Sequence, residues 1–302
     1  MIDISKKSST LRTAIASATL TASPAAVKAL RENTLPKKDA LAVAKVAAVQ
    51  AAKNTSMLIP YCHPLPLDYI ECRFDVQDSR IEITTEVKAI YKTGVEMEAL
   101  TAASAAALTL YDMMKAVDET MVISGIKLVK KTGGKSDFKP SPATKLKAAV
   151  LVVSDSVAAG KKEDSSGKLI VERLKQEGIE SADYAVVPDD VQKIEAKLRS
   201  YATEMKLNLV ITTGGTGLGP RDVTPEATAL VVEKEIPGIN EALRAYGQKR
   251  TPLSMLSRGT SGVCGQTVIV NLPGSARGVQ ESLDALFPWL IHGFKMLEGG
   301  GH

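Results

Sequence analysis

Apolar and polar positions divide the chain into two stretches with different rhythms. In the first, "TLRTAIASATLTAS" alternates apolar and polar residues with the period of two that marks a strand with one buried face. "SPAAVKALREN" follows with Ser23 as N-cap and Pro24 at the first helical position. "DALAVAKVAAVQAAKNT" has helical apolar spacing, and "YIECRFDVQDSRIEITTEVKAI" reads as two strands around "QDSR". "ALTAASAAALTLYDMMKAVDE" predicts a long helix with small residues along one face, suited to close packing on the sheet, on a second subunit, or in an ordinary core. "MVISGIKLVKKTGG" closes the series as a strand. The order β-α-α-β-β-α-β predicts an α+β domain with helices on one antiparallel sheet, in a ferredoxin-like arrangement with an extra helix.

The second stretch alternates strand and helix. "AAVLVVSDS" is a buried strand, "SSGKLIVERLKQEG" a helix stopped by Gly178, "ADYAVVPDD" a strand and "VQKIEAKLRSYATEM" a helix. "LNLVITTGGTG" is a strand entering a glycine loop, and "TPEATALVVEKE" a helix with Thr224 as cap and Pro225 behind it. "QTVIVNLPGS" and "GVQESLDALFPWLIHGFKML" give a last strand and a last helix. The pattern predicts a doubly wound α/β domain with a mostly parallel sheet. Between the halves, "GGKSDFKPSPATKLK" lacks apolar periodicity and carries Pro140 and Pro142. It reads as a linker, so the expected division is 1–138, a linker over 139–146, and 147–302.

Composition narrows the function. A length of 302 residues, 44% hydrophobic and 24% charged, suits a folded two-domain protein. A net charge of +4, 4% aromatics and a single tryptophan, Trp289, argue against a nucleic-acid binder. No apolar run is long enough to span a bilayer and "MIDISKKSSTLRTA" lacks a signal-peptide apolar core, so the expectation is a cytoplasmic protein without membrane partners. Three cysteines, Cys62, Cys72 and Cys264, fit a reducing compartment rather than a disulfide framework.

Cys62, His63 and Cys72 in "LIPYCHPLPLDYIEC" suggest a metal site, but a fourth ligand and a usual zinc spacing are missing. A nucleophilic cysteine needs a base at its sulfur, and adjacent residues on an extended chain point apart. Taken alone, the stretch leaves a buried thiol and a catalytic one equally open. Asp112 and Lys115 are i,i+3 on one helix face, either a surface ion pair or a partly buried one, since Tyr111–Asp112 ends an apolar stretch. Glu96 and Glu98 would share a face only if "GVEME" is extended; otherwise both favour the positive end of the helix. In the second half, four loops, "VVSDS", "VVPDD", "ITTGGTGLGPRD" and "VNLPGS", follow strands and would open on one sheet edge, where such sheets bind ligands. Glycines there allow backbone N–H groups to face an anion. Asp189 and Asp222 beside such a loop suit Mg²⁺, while Asp190 suits an N-cap.

"LIPYCHPLPL", "KTGVEMEALTAASAAALTLYDMMKA" and "KKTGGKSDF" resemble the cyclic pyranopterin monophosphate synthase family of molybdenum-cofactor synthesis, a match running from the first strand to the linker. The resemblance implies conversion of 3′,8-cyclo-7,8-dihydro-GTP to cyclic pyranopterin monophosphate with loss of pyrophosphate and without a redox cofactor. It implies Asp112 and Lys115 as the acid/base pair and Lys37 and Lys131 as further functional lysines. "PKKDA" has Lys38 where the family has glycine, which leaves Lys37 and Lys38 as alternatives. Tyr61, Cys62, His63, Glu96, Met97 and Glu98 fall at the substrate-binding positions, His63 handling substrate or protons; Cys62 then reads as a packed neighbour and Cys72 as strand interior. A hexamer, a trimer of dimers with shared sites, is implied for this half.

"VVSDS", "VVPDD", "ITTGGTGLGPRDVTPEAT", "IPGINEALR", "LSRGTSGV" and "VIVNLPGS" resemble the molybdopterin adenylyltransferase family and its bacterial B-protein relatives. That implies ATP, Mg²⁺ and the pterin phosphate as ligands, with Asp189 and Asp222 as Mg²⁺-binding and catalytic carboxylates. Gly214, Gly215, Thr216, Gly217 and Ser275 become phosphate contacts, with Ser154, Asp155, Asn271, Pro273 and Gly274 in the same pterin- and nucleotide-binding set, and trimeric contacts are implied through this half. The expectation is a fusion enzyme acting on small pterin and nucleotide substrates; the alternative for the second half is a non-catalytic pterin-phosphate-binding or oligomerisation module.

Overall fold

The computed structural model describes residues 1–134, 137 and 145–300. It separates into two compact units, Met1–Asp137 and Phe138–His302. Lys139–Thr144, the centre of the expected linker, lie outside the described residues, as do Lys135, Ser136 and Phe138 of "KKTGGKSDF".

The first unit runs β1 (Thr10–Thr21), α1 (Pro24–Arg31), α2 (Ala40–Lys53), α3 (Thr55–Leu58), β2 (Tyr69–Val76), β3 (Arg80–Tyr91), α4 (Glu96–Met114) and β4 (Val122–Thr132). Its sheet has the order β2-β3-β1-β4, antiparallel throughout. The alternation in β1 sends Ala14, Ala16, Ala18 and Leu20 into the core beneath the helices. The alanine face of α4 (Ala99, Ala102, Ala103, Ala106, Ala107) is completely buried, and so is the Ala44–Ala48 stripe of α2. Small side chains let these backbones approach closely, so the stripe is core of this chain. Ser23 caps α1 by accepting from the Ala26 N–H, with Pro24 behind it. One expectation changes: "GVEME" is not extended. Val95 is the N-cap of α4, and Glu96 and Glu98 both lie in its first turn, where the unpaired helical N–H groups favour acidic side chains.

The second unit runs β5 (Lys147–Val153), α5 (Asp155–Ala158), α6 (Ser166–Gln176), β6 (Glu180–Val187), α7 (Val191–Arg199), β7 (Leu209–Thr213), α8 (Thr224–Ala229), β8 (Lys234–Glu235), α9 (Pro237–Gln248), β9 (Ser261–Cys264), β10 (Thr267–Leu272), α10 (Ala276–Leu286) and α11 (Leu290–Leu297). The sheet order is β6-β5-β7-β10-β9-β8; the first four strands are parallel and the last two pair antiparallel. Successive residues of β5 feed opposite cores, Ala148 and Val150 on one face and Ala149, Leu151 and Val153 on the other, as expected of a strand covered by helices on both sides.

Three readings of this half are corrected. Thr224 is not the cap of α8: Val223 is, and the buried Thr224 hydroxyl donates to the Gly214 carbonyl, tying the helix to the glycine loop. "VVEKE" leaves the helix after Ala229 and ends as the short strand β8, because Val231 is drawn into the core. The last helix is two helices: α10 stops at Leu286, Phe287 is extended and buried, and Pro288 cannot supply a helical N–H. Among the described residues, no helix is long and apolar enough to cross a membrane.

Candidate active sites

In the first unit the expected residues gather in two clusters, one at each end of α4. At its N-terminal end, Tyr61, Cys62 and His63, from the loop after α3, join Glu96, Met97 and Glu98 around a cavity of about 490 Å³. Gly94 makes room for this arrangement, since a Cβ there would fall 2.0 Å from Glu96 Oε2. Glu98 is only 4% exposed. Burial, with Glu96 adding like charge, raises its carboxyl to about 6, so it can hold or release a proton near neutrality. Glu96 is paired with Lys131, whose Nζ lies 3.2 Å away. Burial pushes the Cys62 thiol up, with Glu98 adding to it, and raises the fully packed Cys72 to about 11. Both cysteines are thiols at neutral pH, not nucleophilic thiolates.

At the other end, Asp112 sits between two lysines. Lys115 Nζ is 2.7 Å from its Oδ1, and Lys37 Nζ contacts Oδ2 and the Asp112 carbonyl. Those bonds, first from Lys115 and then from Lys37, hold the Asp112 carboxyl down to about 2, and Asp112 in turn raises Lys115. The cluster is about half exposed, not partly buried as the apolar stretch before it suggests. Lys38 points elsewhere, to the Asn33 carbonyl at 2.8 Å. At 1.5 Å of rise per residue, Asp112 lies about 24 Å along α4 from Glu96. A single chain therefore does not bring the two clusters together.

In the second unit the four expected loops do converge at the carboxyl ends of β5, β6, β7 and β10. Asp155 and Asp189 clasp two of them reciprocally: the Asp155 N–H donates to Asp189 Oδ2 at 2.8 Å and the Asp189 N–H to Asp155 Oδ1 at 3.0 Å. Arg221, from the glycine loop, grips both Asp155 oxygens and lowers that carboxyl. Asp189 shifts the other way: burial raises it, and the charges of Asp155 and Asp222 add to the effect. Asp190 caps α7 through the Lys193 N–H at 3.0 Å, leaving Asp189 free of that duty.

The glycines are demanded by space. Gly214 (φ +101°) would place a Cβ 2.1 Å from the Val153 carbonyl oxygen, and Gly215 (φ +61°) one 3.1 Å from Asp189 Oδ1. A Cβ on Gly217 would fall 2.9 Å from Asp222 Oδ2. The loop thus lies against both carboxylates and separates two cavities. One, of about 240 Å³, is lined by Ser154, Lys162, Asp189 and Gly214; the other, of about 520 Å³, by Thr216, Gly217, Arg244, Pro273, Ser275 and Arg277. Gly215, Asp222 and Gly274 border both. The hydroxyls expected to contact ligand also serve the fold: Ser154 caps α5 and Ser275 caps α10. The Asn271 amide is buried and bonds Thr212 and Thr228.

Two hard-oxygen carboxylates at a shared wall, one of them raised chiefly by burial and further by the neighbouring carboxylates, fit a small divalent cation completed by phosphate oxygens. Among the described residues, no group of three or more His, Cys, Asp or Glu forms a metal cluster. Reading the sequence missed the arginines and Lys162 around these cavities, together with helix α9. Pro237 at the head of α9 and Ile239 and Leu243 spaced i,i+4 were the available signal for the helix.

Comparison with known proteins matches two segments of the chain separately. Residues 1–134 match the model of the MoaC family, and residues 149–292 that of the "Probable molybdopterin binding domain". A molybdenum cofactor biosynthesis bifunctional protein of Chlorobaculum tepidum is 44% identical over 100% of this chain and 96% of its own. A cyclic pyranopterin monophosphate synthase of Clostridium acetobutylicum is 51% identical over 46% of this chain and 88% of its own. A solved structure of the molybdopterin biosynthesis enzyme MoaB of Thermus thermophilus is 43% identical, covering 51% of this chain and 97% of that one, with a TM-score of 0.49. The chain belongs to the family of molybdenum cofactor biosynthesis bifunctional proteins, combining a MoaC-like half with a MoaB/MogA-like half.

Proposed function

We propose that the first unit converts 3′,8-cyclo-7,8-dihydro-GTP to cyclic pyranopterin monophosphate and pyrophosphate, and that the second binds molybdopterin and adenylylates its terminal phosphate with ATP. The units are read as a ferredoxin-like and a doubly wound fold, in a cytoplasmic enzyme. The observation that carries the first assignment is the presence on α4 of a proton donor and acceptor tuned near neutrality, Glu98, at one end and of a carboxylate clamped ionised between Lys37 and Lys115 at the other. Lysines there neutralise the triphosphate as pyrophosphate departs. Lys115, its proton held by Asp112, serves as general acid. His63 and Glu98 bind the pterin-forming end and move protons at its ring atoms, with Lys131 holding Glu96 in place. Lys37, rather than Lys38, is the functional lysine on this reading, since it is the one on Asp112.

The 24 Å between the clusters supports an active site completed by a second copy, as in the hexamer implied by the resemblance. Variants Asp112→Asn and Glu98→Gln should each lack turnover. Co-expressed, they should regain about a quarter of it, because half the dimers would be mixed and each would hold one intact site of two. No recovery in mixed oligomers would refute the shared site.

In the second unit, Asp189 and Asp222 would hold Mg²⁺, which supplies charge neutralisation between the nucleotide and pterin phosphates when bound. The loop from Gly214 to Gly217 and the head of α10 orient the two phosphates on either side of Asp222. Incubation of the full chain with ATP, Mg²⁺ and molybdopterin, with mass detection, tests this. Adenylylated molybdopterin is expected; binding without product would favour the pterin-binding module.

A further inference from the structure

Arg258 makes more contacts with the glycine loop than any motif in the sequence suggested, yet it lines neither cavity. Its backbone N–H donates to the Thr216 carbonyl at 3.0 Å. Its Nε donates to the Gly217 carbonyl at 2.7 Å, and Nη2 to the Asp222 carbonyl at 2.5 Å. The guanidinium is held in turn by Glu226, in the first turn of α8. One side chain thus ties both ends of the excursion from Gly217 to Asp222.

Peptide planarity gives this strap a consequence. A carbonyl drawn toward Arg258 sends the N–H of the same peptide to the opposite side. The Gly217 and Leu218 N–H groups therefore face away from Arg258, and the loop presents donors rather than carbonyl oxygens on that side. The other end of the strap anchors Asp222, which borders both cavities. Ser257, next to Arg258, lines the larger cavity, so the strap runs from its rim to the wall between the two.

We infer that Arg258 is a positioning residue of the second site, holding Asp222 and the Gly217 and Leu218 donors aligned for transfer between the two ligands. This rests on the adenylyl-transfer reading above. Lysine cannot reproduce it, because a single ammonium on a flexible stem does not span two carbonyls and a carboxylate in one plane.

The experiment uses full-length protein carrying Arg258→Lys, Arg258→Ala or Glu226→Gln. In steady-state adenylylation of molybdopterin by ATP and Mg²⁺, Arg258→Lys should lose about 10- to 100-fold in kcat, with KM for molybdopterin within about threefold. Millimolar guanidinium ion should restore part of the Arg258→Ala rate, whereas Asp222→Asn should not respond. Without ligands, hydrogen exchange in peptides covering residues 214–222 should quicken in Arg258→Lys while β5 and β10 keep their protection. An unchanged kcat together with unchanged loop exchange overturns the inference. So does loss of protection throughout the second unit, which would make Arg258 merely structural. If unsubstituted protein forms no adenylylated product, the transferase reading fails by itself, and the loop-exchange arm alone decides whether Arg258 orders the loop.

Discussion

Replacing Glu98 with glutamine removes the one buried carboxylate of the first site and leaves its shape nearly unchanged. Burial raises this group from 4.5 to about 6. Below pH 4.5 it is protonated in folded and unfolded chains alike. Between pH 4.5 and 6 the folded chain keeps a proton that the unfolded chain has released. The stability contributed by protonated Glu98 is therefore fully present below 4.5 and is lost as pH rises through 6. At about 1.36 kcal/mol per unit, the shift corresponds to about 2 kcal/mol. Glutamine stays neutral and escapes that loss. The stability of Glu98→Gln minus that of the unsubstituted protein should thus grow by about 2 kcal/mol between pH 4 and pH 8. Urea-dependent hydrogen exchange of β1 and β3 peptides reads this in the first unit without interference from the second. An infrared band of the protonated carboxyl, absent from Glu98→Gln, should titrate with a midpoint near 6. Lys131→Met, which strips the cation from Glu96, should move that midpoint higher. Parallel stability curves for the two proteins, or a midpoint at 4.5 or below, would refute the reasoning.

Asp112 stays ionised down to about pH 2, so an acid limb of synthase turnover above pH 4 should persist unchanged in position when Lys37 is replaced by arginine. A limb that moves with that substitution would assign it to Asp112. Gly214→Ala meets both a positive φ and a carbonyl oxygen 2.1 Å from its Cβ, and should destabilise the second unit by about 3 kcal/mol or more. Gly178→Ala has a positive φ but open space, and should cost only about 1 kcal/mol in the same thermal unfolding assay. Asp189→Asn should weaken Mg²⁺-dependent ATP binding by about tenfold or more in calorimetry while leaving the fold as stable as before, since the lost charge is one that burial already disfavours.

What could be read from the chain follows the range of the interactions. Local ones were legible: the alternation of β1, the Ser23–Pro24 start of α1 and the Asp190 cap of α7 are written within a few residues. The loops at the strand ends were legible because alternating strands and helices put them on one edge. The antiparallel pair β8 and β9 was not, since a two-residue strand has no period and its pairing with Ser261–Cys264 is set by distant chain. Helix α8 was overextended for a related reason: Val231 and Val232 fit a helical pattern locally, but the core claims Val231. Arg258 stands in "LSRGTSGV", but its contacts were not legible because its partners Gly217, Asp222 and Glu226 lie more than thirty residues away.

The division of the first site has the same origin but a different consequence. Each cluster lies at one end of α4, and the sequence groups the candidate residues without saying that most of a nineteen-residue helix separates them. The alanine stripe makes that rigidity permanent. Ala99, Ala102, Ala103, Ala106 and Ala107 are completely buried against the sheet and α2, so α4 cannot bend or slide to bring Asp112 toward Glu98 without opening the core. The proposed chemistry would use lysines for a triphosphate and a tuned acid for the ring, and one chain holds Lys37 and Lys115 at the opposite end of this helix from Glu98. On the proposed reading, the same packing that stabilises the first unit would leave its site to be completed by a second copy.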